Sequence, residues 1–198
     1  MTKLRRFGLL APLAALTLAG CGINSVPTAE EEVNAAWGNV EAEYQRRNDL
    51  IGNLVETVKA AAGSEEDILT QITEARASAT SANLSTDQLD DPQAVRAYSE
   101  AQAQLAGARS MLGTVIMEKY PELQSQQRFS DLMVQLEGTE NSILVARRDY
   151  NEAVQNYNTT IRTFPDAIGA KIIHGAEPKV PFESAPGADA PVTVDFDK

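Results

Sequence analysis

The chain has 198 residues, with 17 Lys and Arg against 28 Asp and Glu, a formal net charge of −11 at neutral pH. An acidic surface of this kind is repelled by nucleic acid phosphates and by anionic headgroups, which argues against nucleic-acid binding. Apolar residues make up 43% of the chain but aromatic residues only 6%, and an alanine-rich chain with few β-branched clusters reads as helix packed on helix in a single domain.

Lys3, Arg5 and Arg6 open the chain, and Phe7 to Leu18 follow without a charge. That order, basic and then apolar, ahead of small residues is an export signal. Pro12 interrupts the apolar run, which falls short of the roughly 20 residues that span a bilayer as a helix. Leu18-Ala19-Gly20-Cys21 holds the only cysteine in the chain and resembles the lipobox of bacterial lipoproteins. In such proteins the thiolate is joined to diacylglycerol, the preceding segment is removed and the new amine is acylated. Residues 1–20 are therefore expected to be a cleaved signal peptide, and residues 21–28, with Asn24, Ser25 and Pro27, a short tether. Each buried methylene contributes about 0.8 kcal/mol, so two or three acyl chains hold a protein durably. Gly22 follows the cysteine where an aspartate would signal retention in other lipoproteins, which implies sorting to the outer membrane, facing the periplasm. Loss of residues 1–20, with three basic and no acidic side chains, takes the net charge to −14.

The predicted fold is all-α: an elongated antiparallel four-helix bundle over residues 29–175, with two long and two shorter helices. Thr28 opens the first helix, and Glu30, Glu31 and Glu32 oppose the positive end of its dipole. Val33, Trp37, Val40, Tyr44, Arg47, Ile51, Leu54, Val58 and Ala61 then recur at alternating spacings of four and three, a heptad seam broken only by Arg47. Gly63-Ser64 ends this helix, and Ser64 with Asp67 resembles a capping box for the next. Ile68, Ile72, Ala75, Ala79 and Ala82 form the second stripe. Pro92 suits the first turn of a third helix, whose stripe is Val95, Tyr98, Ala101, Leu105, Ala108, Leu112 and Val115, ending at Tyr120-Pro121. A fourth runs from about Ser125 to Arg162 through Phe129, Leu132, Leu136, Ile143, Ala146, Tyr150, Ala153, Tyr157, Ile161 and Phe164. Residues 176–198 hold Pro178, Pro181, Pro186 and Pro191 and read as an extended or disordered tail. Val192, Val194 and Phe196 alternate in a way that could add a strand to a partner's sheet.

Trp37, "YQRRNDLIGNLVETVK" from Tyr44 to Lys59, "EAR" from Glu74 to Arg76, "KYPEL" from Lys119 to Leu123, "TENSILVARRDYNEAV" from Thr139 to Val154, and Tyr157-Asn158 ahead of Phe164-Pro165 resemble, in order, the blocks of the LemA family. The resemblance covers about residues 30 to 175. It implies an up-and-down four-helix bundle outside the cytoplasm and brings no established catalytic activity. Two departures stand out: many relatives carry an uncleaved membrane helix in place of this lipobox, and a proline is common where this chain has Gly52.

Arg47 on the first seam must find a carboxylate and carbonyls or reach water, because an unpaired buried charge is very costly. It either pairs with Glu74 or Glu140, fixing helix register as buried polar residues do in coiled coils, or snorkels at the bundle edge. Arg46, Arg147 and Arg148 read as exposed contacts for a protein partner or as surface ion pairs. His174 stands alone, no phosphate-cradling glycine loop or nucleophile turn is present, and the acidic runs at helix starts are explained by the dipole, so neither a metal, another cofactor nor catalysis is expected. The function expected is a non-catalytic interaction or membrane-organising module, joined to the membrane through lipidated Cys21. The alternatives are a carrier of a hydrophobic ligand between helices and, more weakly, a carboxylate-based hydrolase.

Overall fold

The computed structural model describes the backbone of residues 3–62 and 66–183, and side chains within 24–60, 69–123 and 125–183. Among these residues every regular element is helical: α1 (Lys3–Ala62), α2 (Glu66–Ser81), α3 (Pro92–Lys119), α4 (Pro121–Gln124), α5 (Gln127–Thr160) and α6 (Asp166–Gly169), with a 3-10 turn at Thr86–Gln88 and a π-turn at Ala170–His174. Helix α1 packs chiefly on α5 and α2 on α3, while α6 and the π-turn fold back against α1. Local chemistry sets several ends. The Asp91 carboxylate accepts from the Gln93 amide at 2.8 Å, with Pro92 in the first turn of α3, so one orphan donor is satisfied and the missing proline N–H costs nothing. Tyr120-Pro121 closes α3, since proline disfavours helical backbone at the residue before it.

The seam on α1 is as regular as its spacing. Val33, Val40, Ile51 and Leu54 are fully enclosed, and Trp37, Tyr44, Arg47 and Val58 are buried. Buried apolar residues form two clusters stacked along the rod. One gathers Val26, Val33, Trp37, Val40 and Tyr44 of α1 with Val95 and Tyr98 of α3, Ile143 to Tyr157 of α5, and Phe182 of the tail. The other gathers Leu50 to Val58 with Leu69, Ile72 and Ala79 of α2, Leu105 to Ile116 of α3, and Phe129 to Leu136 of α5. Trp37 is the hub of the first, with its ring centroid 5.3 Å from Tyr98, 5.8 Å from Tyr150 and 5.9 Å from Phe182, separations at which offset and edge-on aromatic pairs attract. Burial pushes the phenols of Tyr98 and Tyr150 above their ordinary range, and that of Tyr157 up to about 12.

Several expectations need correction. Residues 24–28 are not a tether but part of α1, and Val26 is buried against the first cluster, which gives that stretch an apolar reason to stay helical. The enclosed positions on α3 are Gln102 and Ile116 rather than Ala101 and Val115, and on α5 Val154 is enclosed more fully than Ala153. A 3.6-residue turn drifts against a strict heptad, so the inward position slips by one residue. Phe164 is 70% exposed, because α5 ends at Thr160 and the stripe cannot continue past it. Residues 176–183 are extended as expected but are docked on the helices, with Lys179 and Phe182 buried. The side chains of Cys21, Ala61 and Ile68, the Ser64–Asp67 capping box, and Val192, Val194 and Phe196 lie outside the described residues.

The Trp37 ring touches α3, α5 and the tail at once. Trp37→Ala is expected to destabilise the chain by about 3–5 kcal/mol, read as a lowered urea midpoint with unchanged slope, whereas Val134→Ala, at a site 66% exposed on α5, should stay within about 0.5 kcal/mol.

Candidate interaction site

Between the two apolar clusters lies a polar layer built on Arg47, which is 3% exposed. Its Nη2 donates to the Gln102 carbonyl at 3.0 Å and to Gln102 Oε1 at 2.7 Å, and its Nη1 stands 3.6 Å from Glu140 Oε2. Gln102 in turn donates through Nε2 to the carbonyl of Ala79 at 3.1 Å, so one network ties α1, α2, α3 and α5. Arg109 Nε lies 3.7 Å from the other oxygen of Glu140, and the Arg47 guanidinium sits 5.0 Å from the centre of the Tyr44 ring, within cation–π range. Burial pulls the guanidinium below its ordinary pKa and Glu140 opposes that shift; arginine keeps its charge at any physiological pH regardless. Of the two carboxylates expected to answer Arg47, Glu140 is the one beside it, while Glu74 is exposed on α2. Arg47 does not snorkel.

The second polar arrangement joins α5 to the tail. Asn158 donates to the carbonyl of Lys179 at 2.8 Å and accepts from its amide at 2.9 Å, and Asn151 does the same with Phe182 at 3.0 and 2.8 Å. Seven residues of α-helix rise about 10.5 Å, and three residues of polyproline-like chain about 9.3 Å, so the two asparagines match two peptide units three residues apart. Around them Tyr150 Oη donates to the Val180 carbonyl at 3.0 Å, and the Val180 amide to the Leu89 carbonyl at 2.8 Å. Lys179 Nζ lies 3.3 Å from Glu30. Arg147 donates to the Glu183 carbonyl at 2.8 Å and lies 4.9 Å from the Phe182 ring centre. Arg96 pairs with the Glu183 carboxylate at 3.6 Å.

The candidate contact residues thus separate. Arg147 is half-buried and engaged with the tail, Arg148 is exposed and bonded to Asp149 on its own helix, and Arg46 is exposed on α1. His174 is exposed in the π-turn. Reading the residues one at a time missed Gln102, Arg109, Asn151 and Asn158. The asparagines did leave a signal: Tyr150-Asn151 and Tyr157-Asn158 repeat one dipeptide seven residues apart, each putting an amide beside a buried ring. The "EAR" block gains a contact as well, since Arg76 Nε donates to the Asn48 carbonyl at 3.0 Å. A Cβ at Gly52 would stand 3.0 Å from that guanidinium, so glycine there lets the arginine lie on α1.

Where α3 and α5 diverge, a cleft of about 670 Å³ opens, floored by Tyr44, Arg47, Gln102 and Glu140, walled by Val95, Ala103, Ile143 and Leu144, and closed at one end by Val180 to Glu183. On its floor Arg47 is bonded to Gln102 and lies beside Glu140, and among the described residues no three His, Cys, Asp or Glu side chains gather as a metal site. No helix among the described residues is long and apolar enough to cross a membrane.

Both polar arrangements make checkable demands. Glu140→Gln leaves a buried cation short of its counter-charge and should cost about 2–4 kcal/mol, whereas Arg47→Met with Glu140→Leu should cost less than the sum of the single changes, a coupling of about 1–3 kcal/mol in urea unfolding; additive costs would mean the pair is not coupled. Replacing Asn151 and Asn158 together by alanine should release the tail, seen as faster proteolysis within residues 176–183 at unchanged helix content.

The LemA family model matches residues 36–196, so the matched region takes in the docked tail as well as the helices. Magnetosome protein MamQ 2 of Paramagnetospirillum magneticum is 26% identical over 184 residues, covering 85% of this chain and 67% of that protein. Magnetosome protein MamQ of Magnetospirillum gryphiswaldense is 26% identical over 200 residues, covering 93% and 73%. With four fifths of its length inside the family model and its Arg47, Glu140 and Tyr-Asn blocks built into one packed rod, the chain belongs to the LemA family.

Proposed function

We propose that this chain is a lipid-anchored, non-catalytic interaction module of the cell envelope. In this reading residues 1–20 are removed, Cys21 carries the acyl chains, and the rod projects into the periplasm, most simply from the outer membrane. Its α1, α2, α3 and α5 act as an up-and-down four-helix bundle whose Arg47 layer fixes register. The observation that carries the reading is the lipobox Leu18-Ala19-Gly20-Cys21 at the start of a rod whose buried cations are committed to its own carboxylates and carbonyls. Groups spent in this way hold a shape and do not turn over a substrate. Membership of the LemA family, whose relatives include proteins named as magnetosome proteins, is compatible with this reading. Exposed Arg46 and Arg148 are the polar contacts available to a protein partner.

A second reading rests on the cleft between α3 and α5. Its volume of about 670 Å³ falls within the range of small-molecule sites, and its apolar walls with Arg96 and Arg147 at the rim suit an amphipathic acid. The cleft's end is taken up by Val180 to Glu183 of the docked tail and its floor by the Arg47–Gln102 pair, which favours the interaction module.

Cys21→Ser is expected to abolish fatty-acid labelling and to move the protein from the membrane to the soluble fraction of fractionated cells. Labelling that survives the change would end the anchor reading. Cross-linking in intact cells should trap a protein through lysines introduced beside Arg46 or Arg148, and lose it when both arginines are changed to glutamate.

A further inference from the structure

Nine large apolar side chains are prominently exposed among the described residues, and four of them fall within ten positions: Phe164 at 70%, Ile168 at 54%, Ile172 at 77% and Ile173 at 58%. Isolated exposed apolar residues are ordinary, but a contiguous set marks a surface that something covers. The reverse side of the same segment is committed to the fold, since Gly169 and Ala170 are buried and α6 and the π-turn pack on α1. Phe164 precedes α6, Ile168 is on α6, and Ile172 and Ile173 are in the π-turn that follows, so the four exposed side chains belong to one short, continuous segment.

The place of this segment says what covers it. Ser25 of α1 donates to the Asp166 carboxylate at 2.8 Å, which sets this segment beside Ser25. Cys21 precedes Ser25 by four residues on the same continuous helix, a rise of only about 6 Å. Charge agrees with the position. In a strongly acidic chain this stretch carries Arg162 and Lys171, and its one acid, Asp166, is engaged with Ser25. Long basic side chains beside exposed isoleucines are the makeup of a segment that lies in a bilayer interface, apolar side inserted about 5–10 Å and cations at headgroup level.

We propose that residues 164–173 form a second membrane contact, inserting Phe164, Ile168, Ile172 and Ile173 into the surface of the phospholipid bilayer that Cys21 is anchored to. The proposal rests on the anchor reading. Acyl chains on one residue hold a protein near a membrane but leave its tilt free; a second contact beside them sets the angle at which the rod stands.

The test uses the full-length protein purified from membranes and returned to phosphatidylethanolamine–phosphatidylglycerol vesicles with brominated acyl chains. Tryptophan is introduced by Ile172→Trp or, as control, Val134→Trp, which is 66% exposed and about 40 Å away along α5; native Trp37 is buried and supplies a constant background. The added emission of the Ile172→Trp protein should fall at least about twofold relative to unbrominated vesicles, and that of the Val134→Trp protein should not change. Equal quenching at the two sites, or none at either, overturns the proposal. The mass of the Cys21 peptide from the same samples reports on the anchor separately. An acylated chain whose residue 172 is not quenched loses the second contact and keeps the anchor, while an unacylated chain that is quenched there keeps the contact and loses the anchor.

Discussion

One buried positive charge organises this molecule. A guanidinium enclosed to 3% exposure cannot be left without partners, because stripping its water costs several kcal/mol that only well-placed acceptors recover. Here those acceptors come from different helices: the carbonyl and side chain of Gln102 on α3 and the carboxylate of Glu140 on α5. Sliding any of these helices by a turn would move its acceptor by about 5.4 Å and strand the charge. Apolar packing is far more forgiving, since leucines and alanines satisfy one another at many offsets. On the proposed reading the cation selects one register among several that the seams alone would tolerate; the apolar interior divides into two clusters on either side of it.

The tail obeys a related logic. Its peptide groups could not be enclosed without partners, and Asn151 and Asn158 supply both a donor and an acceptor to each of two units. Phe182, placed between them and Arg147, adds its ring to the Trp37 group. Backbone recognition of this kind is indifferent to most side chains, so the order of the tail follows from α5 more than from the tail's own sequence. It also explains why a proline-rich stretch with no period belongs to the same unit as the helices.

That division accounts for what the sequence does and does not disclose. Helix ends are legible because they depend on neighbours in the chain: Asp91-Pro92 opens α3, and Tyr120-Pro121 closes it. The seam of α1 is legible from Val33 to Val58 because its four-and-three positions are apolar except Arg47, although Asn48 and Thr57 beside the seam are buried as well. Long-range pairings are not. Periodicity alone admits Glu74 and Glu140 equally as partners of Arg47, and only the packing of α5 beside α1 decides for Glu140. Gln102 escaped notice because a polar residue on an apolar stripe reads as a flank, so Ala101 took its place. Phe164 fails in the opposite direction: it continues a good stripe, but the helix has already ended, and a stripe without its helix has no inside.

The same separation of local from long-range demands bears on how an acidic rod can do useful work at a surface. Arg47 and Arg109 are held by Glu140, and Lys179 and Arg147 tie the tail to α1 and α5, so the polar contacts link the elements at fixed positions. Linkage of this kind transmits position. A change in angle at the Ser25–Asp166 end becomes a displacement at the Leu123 end that grows with the length of the helices between them, with few soft joints to absorb it. A flexible tether at residues 21–28 would have decoupled the two ends. Because α1 runs unbroken through that stretch, with Val26 packed into the core, the two ends of the rod are joined by one continuous helix.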